Sequence, residues 1–262
     1  MVLLLSILIF ILGLIIGSGI NALVYRVHSG KSFLRGRSEC PECHHVLAPR
    51  DLLPVFSFLA LMGKCRYCKK TIHWMYPAIE LLTAVSFLLY AMFSQYVVLT
   101  QIDSSLMIAR LLVGLVFISF LIFIFLYDAR YMIIPNKALM VLAPIAFLGS
   151  WLVLGHPLTS VLLGAAVGFG FFGLMYALSK GKWIGFGDVK FGLVFGFMLG
   201  LSGTLMTLFF AYVIGAIFAV VILAMKKKHL QDRIAFGPFL ALGAIIVLIA
   251  GQLIAQWYVG LL

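Results

Sequence analysis

Long apolar stretches dominate the sequence, and polar residues are concentrated in the segments between them. The stretches comprise residues 2–25, 76–98, 104–127, 138–155, 158–178, 191–225 and 234–262. A helix needs about 20 apolar residues to cross the roughly 30 Å core of a bilayer. The stretch 191–225 is too long for one crossing and is interrupted by Gly200-Leu201-Ser202-Gly203, which predicts two helices there. The pattern therefore predicts about eight transmembrane helices.

The composition narrows the class of protein further. Hydrophobic residues make up 64% of the chain and charged residues 10%, whereas soluble globular proteins have roughly 45–50% apolar and about 25% charged residues. These values exclude a soluble enzyme, a disordered chain and a secreted disulfide scaffold. The start of the chain lacks the positive charge of a signal peptide and its apolar run is too long for one, so we expect a retained first helix. The predicted fold class is an all-α polytopic membrane protein.

Positive charge is distributed unevenly over this arrangement. The chain has 19 Lys and Arg against 8 Asp and Glu, a net charge of +11. With eight helices and both termini outside, every Lys and Arg except Arg110 falls on the cytoplasmic side, in agreement with the positive-inside rule. A single helix over residues 191–225 would instead place Lys226, Lys227 and Lys228 outside. The positive charge thus indicates topology and contact with the lipid bilayer, including anionic lipid, and we expect no nucleic-acid partner.

The segment after the first helix is the only sizeable polar part of the chain. We divide the chain into a first span (residues 1–25), a cytoplasmic zinc-binding loop (residues 26–75) and a segment with spans two to eight (residues 76–262). The loop contains all four cysteines, in two Cys-x-x-Cys turns, here called knuckles: Cys40-Pro41-Glu42-Cys43 and Cys65-Arg66-Tyr67-Cys68. Four thiolates at this spacing favour a closed, structural tetrahedral zinc site. The alternatives are two disulfides, disfavoured in a reducing cytoplasm, and a redox-active dithiol.

The rest of this loop gives weaker signals. His44, His45 and His73 are interpreted as surface histidines, because the cysteines already complete a tetrahedral site. The apolar run at residues 52–62 is too short to cross a bilayer. It is expected to lie in the membrane interface or to pack under the knuckles.

The acidic residues fall into two groups. Five lie in predicted loops and are interpreted as solvated: Glu39, Glu42, Asp51, Asp103 and Asp232. The other three, Glu80, Asp128 and Asp188, fall within or at the ends of predicted spans. A carboxylate in the membrane is energetically costly and therefore indicates a function by default.

Asp128 and Asp188 are predicted to lie at the same depth. Asp128 ends the third span on its cytoplasmic side. Few apolar residues separate Lys190 from the break at Gly200, so the sixth span is expected to begin near Trp183 or Ile184, which brings Asp188 into the membrane. Two carboxylates held close together share a proton, so one can act as a base on water while the other polarises a carbonyl group.

The alternative interpretation is a pair of ordinary interfacial ion pairs, Asp128 with Arg130 and Asp188 with Lys190. The glycines at 185 and 187 favour the first interpretation, because they permit close backbone approach or positive φ beside the acid. Glu80 also has two interpretations. It follows Pro77 in a pattern typical of a helix start, and it could instead belong to a functional pocket on the cytoplasmic side.

Taken together, these motifs resemble those of the type IV prepilin peptidases, membrane-embedded aspartic proteases of the G-x-G-D type. The resemblance covers nearly the whole chain, and its motifs occur in the order of the family: Gly17-Ser18-Gly19-Ile20-Asn21 with Arg26, the two knuckles with Gly63-Lys64 before the second, Tyr76-Pro77-Ala78-Ile79-Glu80, Asp128 with Ile134-Pro135-Asn136, and Gly185-Phe186-Gly187-Asp188-Val189-Lys190. A G-x-G-D sequence alone would be a weak signal, but the ordered set is specific.

The resemblance implies that Asp128 and Asp188 are the catalytic pair, with Gly185, Gly187 and Lys190 as the supporting motif. The expected substrates are type IV prepilins or pseudopilins, cleaved after a glycine on the cytoplasmic side of the bacterial cytoplasmic membrane. Such proteins serve type IV pili, competence and secretion. Family members often also methylate the new N-terminus with S-adenosylmethionine, and Glu80 is a candidate for binding the freed amine.

Two departures from the family pattern are expected to affect substrate contacts and methylation rather than the aspartate pair. Residues 51–57 lack the Asn-Ile-Pro run of many Gram-negative members, and Met75 stands where arginine often precedes Tyr-Pro. Both features resemble the shorter competence-type peptidases of Gram-positive bacteria.

The alternative function is a transporter or channel with a zinc-knuckle regulatory loop, which predicts acids spread over the membrane depth or two related halves. A scaffold that recruits a partner through the zinc loop would not account for two buried aspartates.

Overall fold

The computed structural model describes residues 2–32, 37–98, 104–225 and 235–260. Its helices are α1 (Val2–His28), α2 (Phe56–Ala60), α3 (Met75–Val98), α4 (Ser104–Tyr131), α5 (Asn136–Leu148), α6 (Leu158–Ser179), α7 (Phe186–Ala224) and α8 (Gly237–Val259). A 3₁₀ turn (Pro49–Asp51) precedes α2, and a π-helix (Gly149–Val153) continues α5. Over the described ranges the chain contains no strand, only two isolated β-bridges. Seven of these helices are long and apolar enough to cross a membrane, which confirms the all-α polytopic fold.

The helix α7 contains a reversal of chain direction at Gly200. Gly200 has φ 68° and ψ −173°, outside the helical region. Before it, Gly192 and Gly196 lie against Gly168 and Gly164 of α6, an antiparallel pairing. After it, the Tyr212 hydroxyl contacts the Met175 sulfur at 3.4 Å, whereas a straight helix would carry Tyr212 about 18 Å beyond Gly200. The two arms of α7, residues 186–199 and 201–224, are therefore antiparallel, so the predicted break between two helices lies at Gly200.

Three hydroxyl groups satisfy the backbone at this reversal. The Leu201 N–H donates to Ser160 Oγ at 3.1 Å, and the Thr204 hydroxyl donates to the Gly200 carbonyl at 2.7 Å. The Ser150 hydroxyl, on the π-helix after α5, donates to the Met198 carbonyl. Lipid offers no hydrogen bonds, so backbone groups released from a helix in the membrane need protein partners. These side chains make the turn compatible with burial.

Glycines line the contact between α6 and the first arm of α7. A Cβ built on Gly164 would lie 2.5 Å from the Gly200 carbonyl carbon and 2.8 Å from the Gly196 oxygen. A Cβ on Gly192 would lie 2.5 Å from the Gly168 oxygen. The hydrophobic effect does not drive helix association within lipid, so close packing of small residues has to hold the helices together. This contact fixes the height of the first arm, and of Asp188 on it, relative to α6.

The chain divides into two compact units, Met1–Met92 and Phe93–Leu262. In the first unit, α1 and α3 approach closely where a Cβ on Gly13 would lie 2.5 Å from the Ala84 Cα. The Asn21 side chain donates to the Tyr76 carbonyl at 3.0 Å in the same unit. The second unit comprises α4 to α8 around a core that includes Phe117, Phe172, Phe191 and Phe195, all fully buried.

Several helix ends differ from those predicted by hydrophobicity. The helix α4 continues one turn past its predicted end at residue 127, so Asp128 lies inside it. The helix α7 begins at Phe186 rather than at Trp183 or Ile184, because the Asp188 carboxylate accepts the Gly185 N–H and fixes the first turn there. Five of the positive residues that indicate topology, Arg35, Lys226, Lys227, Lys228 and Arg233, lie outside the described residues, as do the loop acids Asp103 and Asp232.

Replacing Gly164 by alanine should destabilise the second unit. The added methyl group would overlap backbone atoms of the Gly200 turn, and overpacking costs about 1–3 kcal/mol, more than the roughly 1 kcal/mol that alanine gains over glycine in a helix. Thermal unfolding of the purified protein in detergent measures the effect. Gly170→Ala is the matched control on the same helix, because a Cβ there meets nothing within 4 Å. Equal transition temperatures for the two variants would contradict the packing argument.

Candidate active site and metal centre

Asp128 lies in the last turn of α4 and is buried, with 4% of its surface exposed. The start of α8 lies directly against its carboxylate, since a Cβ built on Gly237 would be 2.5 Å from Oδ2. Only glycine leaves room for the acid at this position. The preceding Phe236 and the following Pro238 shape the turn at which α8 begins.

Asp188 lies in the first turn of α7 and is half-buried. Its Oδ2 accepts the Gly185 N–H at 3.1 Å, so the acid caps its own helix. Of the two properties expected from the glycines, Gly187 provides close approach, because its built Cβ would lie 3.2 Å from the Ile134 Cβ. Positive φ is not used at Gly185, whose φ is −79°.

Ile134 connects the two acids. It touches Gly187, next to Asp188, and its Cδ1 lies 3.2 Å from a Cβ built on Gly237, next to Asp128. The carboxylates lie close enough to interact electrostatically. The two aspartates, 60 positions apart in the sequence, are thus brought together by the linker between α4 and α5 and by the starts of α7 and α8.

Among the residues that the structure describes, the ion pairs Asp128–Arg130 and Asp188–Lys190 are not found. Lys190 donates to Asn136 Oδ1 at 2.9 Å, and its Nζ lies 4.9 Å from the centre of the Phe186 ring. Within residues 2–32, 37–98, 104–225 and 235–260, the ion pairs found all belong to the loop between α1 and α3. Lys190 therefore ties Asn136, the first residue of α5, to α7.

Sequence reasoning missed part of this site. Gly237 touches Asp128. The ring of the preceding residue, Phe236, packs against the ring of Tyr212, with ring centres 5.0 Å apart. Tyr212 also lies within electrostatic range of Asp188. One sequence signal could have indicated that the start of α8 belongs to the site. The run Phe236-Gly237-Pro238 stands at the start of the last apolar stretch, on the side predicted to face the cytoplasm. The sequence predicts the break at Gly200 that returns the chain, but nothing in it singles out Tyr212 as the residue that comes back to the aspartates.

The two knuckles have the same backbone geometry, offset by 25 positions. Cys40 N–H donates to the His45 carbonyl and Cys65 N–H to the Lys70 carbonyl, at 3.0 and 2.8 Å. His44 and Lys69 occupy equivalent positions with φ of 55° and 60°. Isolated bridges, Glu39 with Val46 and Lys64 with Thr71, close each turn at the same point. The sequence pair is thus a structural repeat that aims two sulfurs from each knuckle at a common centre.

The four sulfurs form a cluster that can hold a metal ion such as zinc. All four lie within 4.8 Å of one another, and Cys40 and Cys68 Sγ are 4.0 Å apart. Thiolates around tetrahedral zinc, with Zn–S near 2.3 Å, lie about 3.8 Å apart, so the cluster fits. Burial opposes ionisation of the Cys65 thiol, but the backbone N–H groups of Cys68 and Tyr67 lower its pKa to about 7. Burial raises the pKa of Cys40, and burial and the neighbouring thiols raise that of Cys68 to about 11, so Cys65 is the first of these three sulfurs to ionise. Ionised sulfur is the form that binds metal.

Asp51 stabilises the cysteine cluster by contacting residues of the second knuckle. Its nearly buried carboxylate accepts Arg66 Nε at 2.6 Å, the Tyr67 hydroxyl at 2.9 Å and the Ala48 N–H at 3.1 Å. Burial alone would raise the pKa of Asp51, but these donors together hold it below its usual value. Asp51 was interpreted from the sequence as solvated, and the structure corrects this. The Tyr67 ring also stacks on His45 of the first knuckle, with ring centres 3.6 Å apart.

Glu80 lies deeper along its helix than the sequence suggested. Since α3 begins at Met75, Glu80 is in the second turn, and the helix has no acid in its first turn. The helix-start interpretation is therefore wrong. The carboxylate is buried, with 8% exposure, and its Oε2 accepts the Val55 N–H at 2.7 Å.

Comparison with known proteins now defines the family. The family model described as Type IV leader peptidase family matches residues 115–220, and that described as Bacterial Peptidase A24 N-terminal domain matches residues 11–94. A protein of Bacillus subtilis (strain 168) named prepilin leader peptidase/N-methyltransferase is 36% identical, over 95% of this chain and 96% of that protein. The chain belongs to the type IV leader peptidase family.

Relatives with the same name come from other bacteria. Identity is 30% to one from Neisseria gonorrhoeae, over 92% of this chain and 89% of that protein. Identity is also 30% to a relative from Aeromonas salmonicida (strain A449), over 85% of this chain and 74% of that protein. No solved structure matches the chain. These relationships confirm the predicted family and enzyme class, a prepilin peptidase, in a multi-pass protein of the inner membrane.

Proposed function

We propose that this chain is an intramembrane aspartic endopeptidase that cleaves the leader of type IV prepilins or pseudopilins after a glycine. The observation that carries the proposal is the meeting of Asp128 and Asp188 at the ends of apolar helices. Both lie within the segment that matches the leader peptidase family. Two carboxylates at one site constitute the machinery of acid–base peptide hydrolysis.

The reaction needs only these two groups and a water molecule. One carboxylate removes a proton from the water as its oxygen attacks the scissile carbonyl, and the other, protonated, donates to the carbonyl oxygen. The tetrahedral intermediate then collapses, the C–N bond breaks, and a proton passes to the departing amine. Because the two acids interact, the protonation states belong to the pair rather than to one residue. Gly185, Gly187 and Lys190 support the pair by setting the helix start and the linker contact.

The same proposal assigns the reaction to the cytoplasmic side. All but one of the 19 Lys and Arg fall on one side when both termini are outside and the cysteine loop is in the cytoplasm. A short basic leader would remain on that side while its apolar helix lies in the bilayer. The scissile bond would then be at the depth of the two aspartates. A transporter or channel is less well supported, because Asp128 and Asp188 are together at one end of the second unit instead of spread along a path.

Asp128→Asn and Asp188→Asn should each abolish cleavage of a membrane-inserted prepilin by the purified enzyme. An amide can neither take a proton from water nor share one with its neighbour, and loss of general acid–base catalysis alone costs about 10²–10⁴-fold in rate. Glu39→Gln, the same change at an acid of the loop that pairs with Lys31, is the control and should cleave normally. Wild-type cleavage by either aspartate variant would refute the proposed pair.

The cysteine cluster is proposed to bind one structural zinc ion through Cys40, Cys43, Cys65 and Cys68. Four thiolates leave no position for water or substrate, so the metal would hold the loop and take no part in hydrolysis. The matching geometry of the knuckles supports this assignment, since each presents two sulfurs in the same way.

Metal analysis should therefore find about one zinc per chain, as expected for one four-thiolate site. Cys65→Ser should lose the metal and expose the loop to limited proteolysis. His44→Asn is the control, because asparagine tolerates the left-handed backbone at this position and His44 is no ligand in the proposal. Zinc bound equally by the Cys65→Ser variant, or absent from reduced, unchelated wild type, would contradict the assignment.

A second activity, N-methylation of the new N-terminus with S-adenosylmethionine, is proposed from the resemblance and from the names of the relatives. Glu80 is the candidate for holding the freed amine, since its buried carboxylate lies on the loop side of the first unit. No glycine-rich nucleotide loop marks the cofactor site in the sequence.

Transfer of a labelled methyl group from S-adenosylmethionine to the cleaved product checks this activity. Wild type should label the product, and Asp188→Asn should label pre-cleaved pilin as well as wild type does. Glu80→Gln should lower labelling while cleavage continues, because a neutral amide binds an ammonium group less strongly. Product that stays unlabelled with wild type would exclude the methyl transfer without affecting the peptidase proposal.

A further inference from the structure

The turn that precedes α2 has an unusual backbone. Val55 has φ 60° and ψ −49°, and the Phe56 N–H lies 2.6 Å from the Pro54 carbonyl oxygen. This is a γ-turn with positive φ at its centre, a rare and strained form. A β-branched residue is especially unfavourable in this region. Such a conformation persists only where its surroundings hold it in place.

Glu80 holds this turn. Its carboxylate accepts the Val55 N–H at 2.7 Å, which joins the strained residue to the second turn of α3. Glu80 itself is wedged against α1, where a Cβ on Gly17 would lie 2.7 Å from the Glu80 Cα. A charged acceptor makes a stronger hydrogen bond than a neutral one. Glu80 therefore fixes the position of the turn relative to α1 and α3.

This anchoring places the turn beside the helices rather than beyond their ends. Gly17 lies about 16 Å along α1 from its end at His28, and Glu80 about 7 Å along α3 from its start. The apolar stretch of α1 continues past Gly17 to residue 25. The loop thus folds back alongside the apolar part of α1, and the turn does not lie beyond the end of that helix.

The segment next to this turn exposes large apolar side chains. Leu53, Phe56, Leu59 and Met62 recur every third residue around the short helix α2, and we call them the apolar stripe. Their exposed fractions are 55%, 69%, 65% and 87%. Phe58, by contrast, turns inward and lies against Gly63. A stripe this exposed would be unfavourable in water and marks an interaction surface.

The residues around the stripe indicate which partner it meets. Exposed Arg50, Lys64 and Lys69 flank it in sequence, and the one acid between them, Asp51, is nearly buried and paired with Arg66. Trp74, two-thirds exposed, stands directly before α3, the position at which tryptophan prefers the headgroup region. An apolar surface with a basic and aromatic border matches an anionic lipid interface.

We propose that the apolar stripe inserts into the lipid interface, and that Glu80, through the strained turn at Val55, positions it there. The stripe then anchors the cysteine loop to the membrane surface between the two helices from which it emerges. This role is independent of the peptidase chemistry, and it uses Glu80 as a positioning residue. It also accounts for the apolar run at residues 52–62, which is too short to cross the bilayer.

Photolabelling of the wild-type chain tests the proposal directly. The full-length protein is reconstituted in phosphatidylethanolamine and phosphatidylglycerol vesicles that contain a lipid with a diazirine near the headgroup end of its acyl chain. After irradiation and unfolding, trypsin releases residues 51–64, which carry the stripe, and residues 38–50, which carry the first knuckle. Lipid adducts are expected on the first peptide and not on the second.

Variants separate insertion from simple proximity. Phe56→Ser with Leu59→Ser should lose most of the adducts on residues 51–64, and Glu80→Ala should lower them by releasing the turn. Glu39→Ala, an acid of the same loop that does not contact the turn, should leave them unchanged. Bound metal, measured for every variant, shows that the loop remains folded.

An unlabelled 51–64 peptide, in a sample whose helix peptides carry adducts, would overturn the proposal. That result would mean that protein or water, and not lipid, covers the stripe. Equal labelling of Glu80→Ala and wild type would refute the positioning role of Glu80.

Discussion

The glycine contact between α6 and the first arm of α7 is the constraint on which the proposed active site depends. Helices in lipid gain nothing from burying leucine against leucine, so their backbones have to come close enough for dispersion forces and fixed dipoles to act. Gly164, Gly192 and their partners allow this, with backbone atoms where any side chain would stand. Because the backbones of the two helices touch at these glycines, the contact fixes the position of the first arm along α6. Asp188 lies at the start of that arm, so the contact also fixes the position of Asp188.

The reversal at Gly200 completes the placement. The first arm is about 21 Å long, shorter than the roughly 30 Å core of a bilayer, so a carboxylate near its start cannot be far from apolar surroundings. The cost of turning the chain inside the protein is met by the hydroxyls of Ser160, Ser150 and Thr204. The second arm then returns Tyr212 towards the aspartates. The reversal at Gly200, which has a positive φ, thus determines both the depth of Asp188 and the return of Tyr212 towards it.

The features predictable from the sequence are those encoded locally. Stretches of apolar residues predict the helices, and the break at Gly200 follows from length alone. The knuckles are predictable because their turn geometry lies within a few residues of each cysteine. The acids near helix ends stand out because charge is rare in the membrane. By contrast, the contact of Gly237 with Asp128 and the buried role of Asp51 depend on neighbours distant in sequence. The start of α7 moved from the predicted residues to Phe186 because a side-chain cap, rather than hydrophobicity, decides where a helix begins.

The three acids in apolar helices, Glu80, Asp128 and Asp188, show that position in the membrane alone does not assign a role. One oxygen of the Glu80 carboxylate accepts an N–H from a strained turn, so Glu80 has a structural role beside the amine-binding role proposed for it. Asp188 caps its helix with one oxygen, and Asp128 faces a glycine that leaves space beside it. Asp128 and Asp188 lie close enough to interact with each other, and such a pair can divide the work of acid and base. What distinguishes a proposed catalytic carboxylate from an anchoring one is therefore the nature of its neighbour: a second acid in one case, a backbone donor held under strain in the other.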